Sequence, residues 1–291
     1  MSVLKIVKYF FQAIIIYLLF IIIKMIGLTL SRKFFSILFN KIGPSIKSEH
    51  VVNDNLDKFL GTYNEDVKID TKSKMWTNYG KTFVEYLYLK EFKNKNNHIE
   101  IKGEKILSEI IKKNKPVIFV SGHFANFELM SIELSKKNIN LATIYRPLNN
   151  FFLNPFMEYL RKKYICQHQI KKGLAGVKDS IKYIKNNFSI ALMIDQRVSE
   201  GKRLPFFENM ALTTTLPAQM ALKFNLDIVP IYIARKKNDN FEMEIYEPIK
   251  TIHNSDSESS KLNISIKLNK ILEEMITRDP GQWIWTHNRW K

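Results

Sequence analysis

The sequence predicts an α/β fold with a mostly parallel or mixed central sheet flanked by helices, preceded by an N-terminal membrane-anchoring helix. Three observations predict it. Beyond residue 50, short β-branched and aromatic runs alternate with longer helix-forming segments, the pattern of βα units. The first fifty residues carry a nearly unbroken apolar stretch. Three of the short runs end in a residue of chemical interest, His123, Arg146 and Asp195. That is where ligands gather in open α/β sheets, at the carboxyl ends of the strands.

The apolar stretch runs from Tyr9 to Leu30, "YFFQAIIIYLLFIIIKMIGLTL", broken only by Gln12, Lys24 and a threonine. About 20 apolar residues span a bilayer core, and a lysine can snorkel to the headgroups. A signal peptide with Lys5 and Lys8 as its n-region is the rival, but no small-x-small cleavage site follows. An apolar helix buried in the core is another. The next segment, "SRKFFSILFNKIG", sets Phe34, Phe35, Leu38 and Phe39 between Arg32, Lys33 and Lys41, as in an interfacial helix. Lys24, Arg32, Lys33, Lys41 and Lys47 outnumber Lys5 and Lys8, which favours a catalytic part facing the cytoplasm. The expected division is an anchor over 1–45 and a catalytic domain over 46–291, with no linker inside the latter.

Along the catalytic part, helical character runs through "MWTNYGKTFVEYLYLKEF" to a polar break at "KNKNNHIEIKGEK". A helix at about 104–114 and the strand "NKPVIFV" lead to His123. Then follow a helix at about 125–137, the strand "INLATIYRP", and a helix through "NNFFLNPFMEYLRKKY". A helix at about 174–187 precedes the strand "SIALMID", which ends at Asp195. A loop punctuated by Gly and Pro reaches to about residue 213, before the helix "TLPAQMALKFN". "DIVPIYIARKK" and "FEMEIYEPI" are adjacent, possibly antiparallel strands, and "SDSESS" offers several N-caps for a long final helix.

Of 291 residues, 45% are hydrophobic and 12% aromatic, enough for one large core or one core plus an anchor. Lys and Arg number 45 against 28 Asp and Glu, a formal +17. Such a surface attracts nucleic acid, anionic headgroups or acidic proteins without choosing among them, and the abundance of Lys throughout also fits a general compositional bias. No aromatic-basic platform or nucleic-acid motif is present, so no nucleic-acid partner is expected. The single cysteine, Cys166, excludes an intrachain disulfide, and "RKKYICQHQIKKG" has no Gly-turn elbow to make it a nucleophile. No Cys/His set has structural-zinc spacing, and neither a metal nor a cofactor is expected.

The chemistry centres on "VSGHFANFELM". On one helix His123 and Glu128 would lie roughly 140° apart. They meet only with His123 on the strand-to-helix turn and Glu128 in the first helical turn. There the carboxylate would fix the imidazole tautomer and stabilise the protonated ring, as a general base requires. Gly122 would let the backbone turn sharply and a substrate approach. The amides that open the following helix can meet an anion. Asp195, Gln196 and Arg197 in "MIDQRVSEGKRLPFF", with Arg146 in "YRPLNN", complete the candidate site.

"GHFANFE", "YRPLNN", "DQR…FF…TTTLPAQMA" and the terminal "QWIWTHNRW" occur in the order seen in the lipid A secondary acyltransferases, the lauroyl and myristoyl transferases of Gram-negative bacteria. These fall within the wider glycerolipid acyltransferases with a His-x4-Asp/Glu signature. The resemblance covers nearly the whole chain, including the N-terminal anchor; one departure is Glu208, where relatives often have glycine. The resemblance implies transfer of an acyl chain from acyl carrier protein to a hydroxyl on a 3-hydroxyacyl chain of an anionic lipid A precursor, at the inner membrane. It implies His123 as base and Glu128 as its orienting partner, with no covalent intermediate. Arg146 and Arg197 would bind acceptor anions, or Arg146 or backbone amides would hold the oxyanion; Asp195 would orient one of the arginines. Another glycolipid or an ornithine-type lipid remains the alternative acceptor. Trp283, Trp285 and Trp290 either line a substrate pocket, sit at the membrane surface, or clamp the chain end onto the core.

Overall fold

The computed structural model describes residues 2–61, 65–251 and 257–291. In chain order the elements are α1 (Val3–Ile46), α2 (Glu49–Leu60), α3 (Glu65–Glu85), α4 (Leu89–Asn94), β1 (Ile99–Lys102), α5 (Glu104–Lys113), β2 (Ile118–Ser121), α6 (Glu128–Lys136), β3 (Leu141–Tyr145) and α7 (Asn154–Leu160). A π-helical turn, Arg161–Ile165, extends α7. Then come β4 (His168–Lys171), α8 (Leu174–Lys185), β5 (Ser189–Met193), β6 (Lys202–Phe206), β7 (Asn209–Thr213), α9 (Leu216–Phe224), β8 (Ile228–Arg235), β9 (Phe241–Ile245) and α10 (Ser257–Arg278).

Seven strands form one sheet in the order β1-β9-β8-β2-β5-β3-β4. From β8 to β4 all neighbours are parallel; β9 runs antiparallel to β8, and β1 parallel to β9. The fold class is therefore the expected one, and "DIVPIYIARKK" and "FEMEIYEPI" are antiparallel neighbours. Central strands such as β2 and β8 are buried on both faces, which explains their continuous apolar runs. Helices cover each face over a separate apolar cluster. The capping residues expected in "SDSESS" lie partly outside the described residues.

Five elements depart from the sequence reading. The polar break contains β1, whose Ile99 and Ile101 alternate with Glu100 and Lys102, a signal swamped by the flanking Lys and Asn. Edge strands tolerate such charge. The edge strand β4 and the helix α2 are further additions. The loop before α9 contains the β6–β7 hairpin, whose Phe207 and Glu208 both take left-handed backbone (φ 47° and 59°). A two-residue hairpin turn with φ > 0 at both positions prefers Asn-Gly; Phe-Glu hides it. Glu208, the departure from the family pattern, is thus a turn residue.

The helix α1 is broken at Gly27, whose φ of 80° and ψ of 166° lie outside helical space. The freed Ile23 carbonyl accepts the Ser31 and Tyr88 hydroxyls at 3.2 and 3.1 Å. The arm before the kink exposes Val3, Leu4, Phe11, Ile15, Leu18, Ile21 and Met25. It rests on the body through Phe20, which meets Phe83 and Phe156, and Phe10, which meets Phe152. This long apolar helix is a candidate membrane anchor. The arm after the kink behaves differently: Phe35 is fully buried against Phe83, and Arg32 pairs with the buried Glu85. Of the aromatic set read as interfacial, Phe34 is exposed, whereas Phe35 belongs to the core.

Candidate active site

The site forms because β2 and β5 are parallel neighbours in register, Ser121 opposite Met193. The Ile194 amide bonds the Ser121 carbonyl at 2.9 Å, so His123 and Asp195 leave the sheet side by side. Asp195 Oδ1 accepts from His123 Nδ1 at 2.7 Å. Asp195 Oδ2 accepts from the His123 amide at 2.9 Å and the Trp283 indole at 2.8 Å. The partner of the imidazole is therefore Asp195, not Glu128. Sequence spacing pointed to the nearer carboxylate; strand register supplied one 72 residues away.

Burial of Asp195 opposes its ionisation, but the His123 charge and the His123 and Trp283 N–H groups outweigh it and bring the carboxyl down to about 2. A carboxylate only accepts, so in the neutral ring Nδ1 carries the proton and Nε2 presents its lone pair. The imidazole is 18% exposed, so it remains reachable while Asp195 is sealed. The Phe127 ring packs edge-on against it at 4.6 Å.

Gly122 has a reason other than the expected freedom to turn. A Cβ there would lie 2.7 Å from the Phe124 ring, so the glycine serves close packing beneath the turn. The unusual backbone falls on Ala125, at φ 44°. Its amide is taken by the Gln282 carbonyl, whereas the Asn126, Phe127 and Glu128 amides meet no acceptor among the described residues. Three free amides at the start of α6 form a local positive pole.

Glu128 opens α6, as expected, but faces another cluster. Its Oε1 accepts from Arg161 Nε and Nη2 at 3.0 and 2.8 Å and from the Tyr86 hydroxyl at 2.7 Å. Burial and Glu128 push the Tyr86 phenol up, so it stays a donor. Burial disfavours the Arg161 charge, but Glu128 and Tyr86 outweigh this and hold it on. Arg161 lies on the π-helical turn, a type of distortion frequent at functional sites. Its role was not legible, since nothing in "YLRKKY" distinguishes it from the neighbouring lysines.

Arg146 follows β3 at the same rim and is exposed; Gln196 and Arg197 follow Asp195 and are half-buried. The Asp195 carboxylate bonds to His123 and Trp283 and makes no hydrogen bond or ion pair with either arginine. The Arg197 amide donates to His287 Nε2 at 3.0 Å, while the Arg197 Nε is buried without a hydrogen-bond partner among the described residues. Burial holds His287 down to about 4, so it is the neutral acceptor this bond needs. The terminal segment both clamps the core and reaches the site. Trp285 is fully buried and donates to the Pro280 carbonyl, Arg289 donates to the Leu212 carbonyl and Thr213 hydroxyl, and Trp283 holds Asp195. Cys166 is buried, which pushes its thiol up and removes it as a nucleophile.

An imidazole oriented by a buried carboxylate, beside free amides at a sheet rim, is an arrangement suited to acid–base group transfer. The chain belongs to the bacterial lipid A biosynthesis acyltransferase family, whose model matches residues 2–291. It is accordingly an acyltransferase of lipid A biosynthesis, with a lipid A precursor as acceptor. A comparison with curated proteins finds no match.

Proposed function

We propose that this enzyme moves a fatty acyl chain from acyl carrier protein to the hydroxyl of a 3-hydroxyacyl chain on the lipid A precursor. The His123–Asp195 pair carries the reading. His123 Nε2 takes the hydroxyl proton as the oxygen attacks the thioester carbonyl. The C–O bond forms, the C–S bond breaks, and the proton passes from the imidazolium to the departing thiolate, whose thiol pKa is ~8.5. The larger demand is the tetrahedral oxyanion, for which the free amides from Asn126 to Glu128 are suited. Glu128 acts as a positioning residue through Arg161 and Tyr86. Arg146, Gln196 and Arg197 bind the acceptor, the arginines through forked contacts to its anionic groups.

The arm of α1 before Gly27 anchors the enzyme in the inner membrane with the catalytic part facing the cytoplasm, where acyl carrier protein is met. The +17 charge suits an acidic carrier and an anionic lipid. The test is mass spectrometry of lipid A from a deletion strain carrying wild-type or His123→Ala enzyme. One acyl chain more with wild type, and none with His123→Ala, is expected. An unchanged acyl count with wild type defeats the acceptor assignment; full restoration by His123→Ala defeats the base assignment.

A further inference from the structure

The end of the β3–β4 ladder places two cations side by side, neither with an ion pair or side-chain hydrogen bond among the described residues. Tyr145 lies opposite Lys171, and the Lys172 amide donates to the Tyr145 carbonyl at 2.8 Å, so Arg146 and Lys172 are the next opposed pair. Neighbouring strands are about 4.8 Å apart. Tyr145 and Lys171 share one face, since both reach Glu158, at 2.7 and 3.3 Å. Alternation sends Arg146 and Lys172 to the other face. Lys171 is thus neutralised, while neither Arg146 nor Lys172 has an ion pair or side-chain hydrogen bond among the described residues.

That face belongs to the active site. Lys172 lies within electrostatic reach of Arg146, Asp195 and Glu200, and also of His287. Burial first, and the Arg146 charge second, hold the Lys172 ammonium below its usual range, against a smaller opposing pull from Glu200 and Asp195. Like charges on opposed strand positions destabilise a sheet. An anion between them would turn the repulsion into two attractions.

We propose that Arg146 and Lys172 together form a phosphate subsite at the catalytic rim, with Lys172 as a substrate-binding residue. Arg146 supplies a planar fork and Lys172 a compact charge. Two cations match a phosphate monoester dianion better than a diester monoanion, which assigns the subsite to a phosphate of the acceptor rather than to the phosphodiester of the carrier's prosthetic group. The inference rests on the transfer reaction proposed above.

The experiment is steady-state transfer by wild type, Arg146→Gln, Lys172→Gln and Lys172→Arg, with acceptor and acyl carrier varied separately. Phosphatase-treated acceptor is run in parallel. Each Gln variant is expected to raise the acceptor KM about tenfold, with kcat within threefold; Lys172→Arg restores most of it. The dephosphorylated acceptor should be poor with every form and indifferent to the substitutions. An unchanged acceptor KM, an equal loss with dephosphorylated acceptor, or a shift confined to the carrier KM overturns the assignment. A binding arm separates this from failure of the reaction itself: phosphorylated acceptor in detergent micelles is titrated against the His123→Ala protein with and without Lys172→Gln. Equal affinities there overturn the subsite whatever reaction the enzyme performs; tenfold weaker binding supports it.

Discussion

Asp195→Asn tests the site at its most determinate point. Oδ2 accepts from the His123 amide and the Trp283 indole, and neither of those groups can accept. In the variant the amide oxygen must therefore take the Oδ2 position, which turns the NH2 group toward His123 Nδ1. An NH2 facing Nδ1 makes that nitrogen an acceptor and moves the ring proton to Nε2, where the lone pair is needed. The ring stays in place in the wrong tautomer. Loss of general-base catalysis costs ~10²–10⁴-fold, and kcat should fall by that amount with the acceptor KM nearly unchanged. Raising the pH should not rescue it, because the tautomer is fixed by geometry. Two of the three accepted bonds survive and the third changes from a charge-assisted bond to a neutral one, at a cost of about 1 kcal/mol; thermal melting should drop by a few degrees while circular dichroism stays native. The assay is transfer from acyl carrier thioester to the glycolipid acceptor across pH 5–9, roughly the interval in which imidazoles titrate. A folded Asp195→Asn enzyme with kcat within threefold of wild type would refute the reasoning.

Glu128→Ala strands the buried Arg161 charge and should cost about 3–5 kcal/mol of stability and most of the activity, with Glu128→Asp partly retaining both; an unchanged melting temperature contradicts this. Arg32→Ala removes one of two arginines from the fully buried Glu85, leaving Arg235, and should destabilise by roughly 2–4 kcal/mol; denaturant unfolding with an unaltered midpoint argues against α1 being pinned there. His287 is held down to about 4 when folded, against the 6.5 of an ordinary imidazole. Between those values the unfolded chain binds more protons, so stability falls as pH drops from 6.5 to 4, by on the order of 2 kcal/mol after solvent screening. His287→Gln should flatten that part of the stability–pH curve; the same slope in both proteins would mean that other groups produce it.

The sequence alone determined what depends on neighbours along the chain. The apolar run to Leu30 announces a helix by length and composition, and the alternation of β-branched runs with helical segments announces a mostly parallel sheet. His123 stands out because a polar residue ends a buried strand. Turns with unconventional residues stayed hidden, as Phe207 and Glu208 do in the β6–β7 hairpin, because the strain is absorbed by packing that no local pattern reports. Which carboxylate serves His123 was decided only by tertiary structure. Glu128 is five residues away, but helix geometry turns it toward Arg161 and Tyr86. Asp195 is 72 residues away, but the register of β2 with β5 brings it to 2.7 Å. The same holds for Trp283 and His287, which reach the rim because the chain end folds back along the sheet. Strand pairing converts distant positions into neighbours at hydrogen-bond precision, and a linear pattern carries the strands without their order.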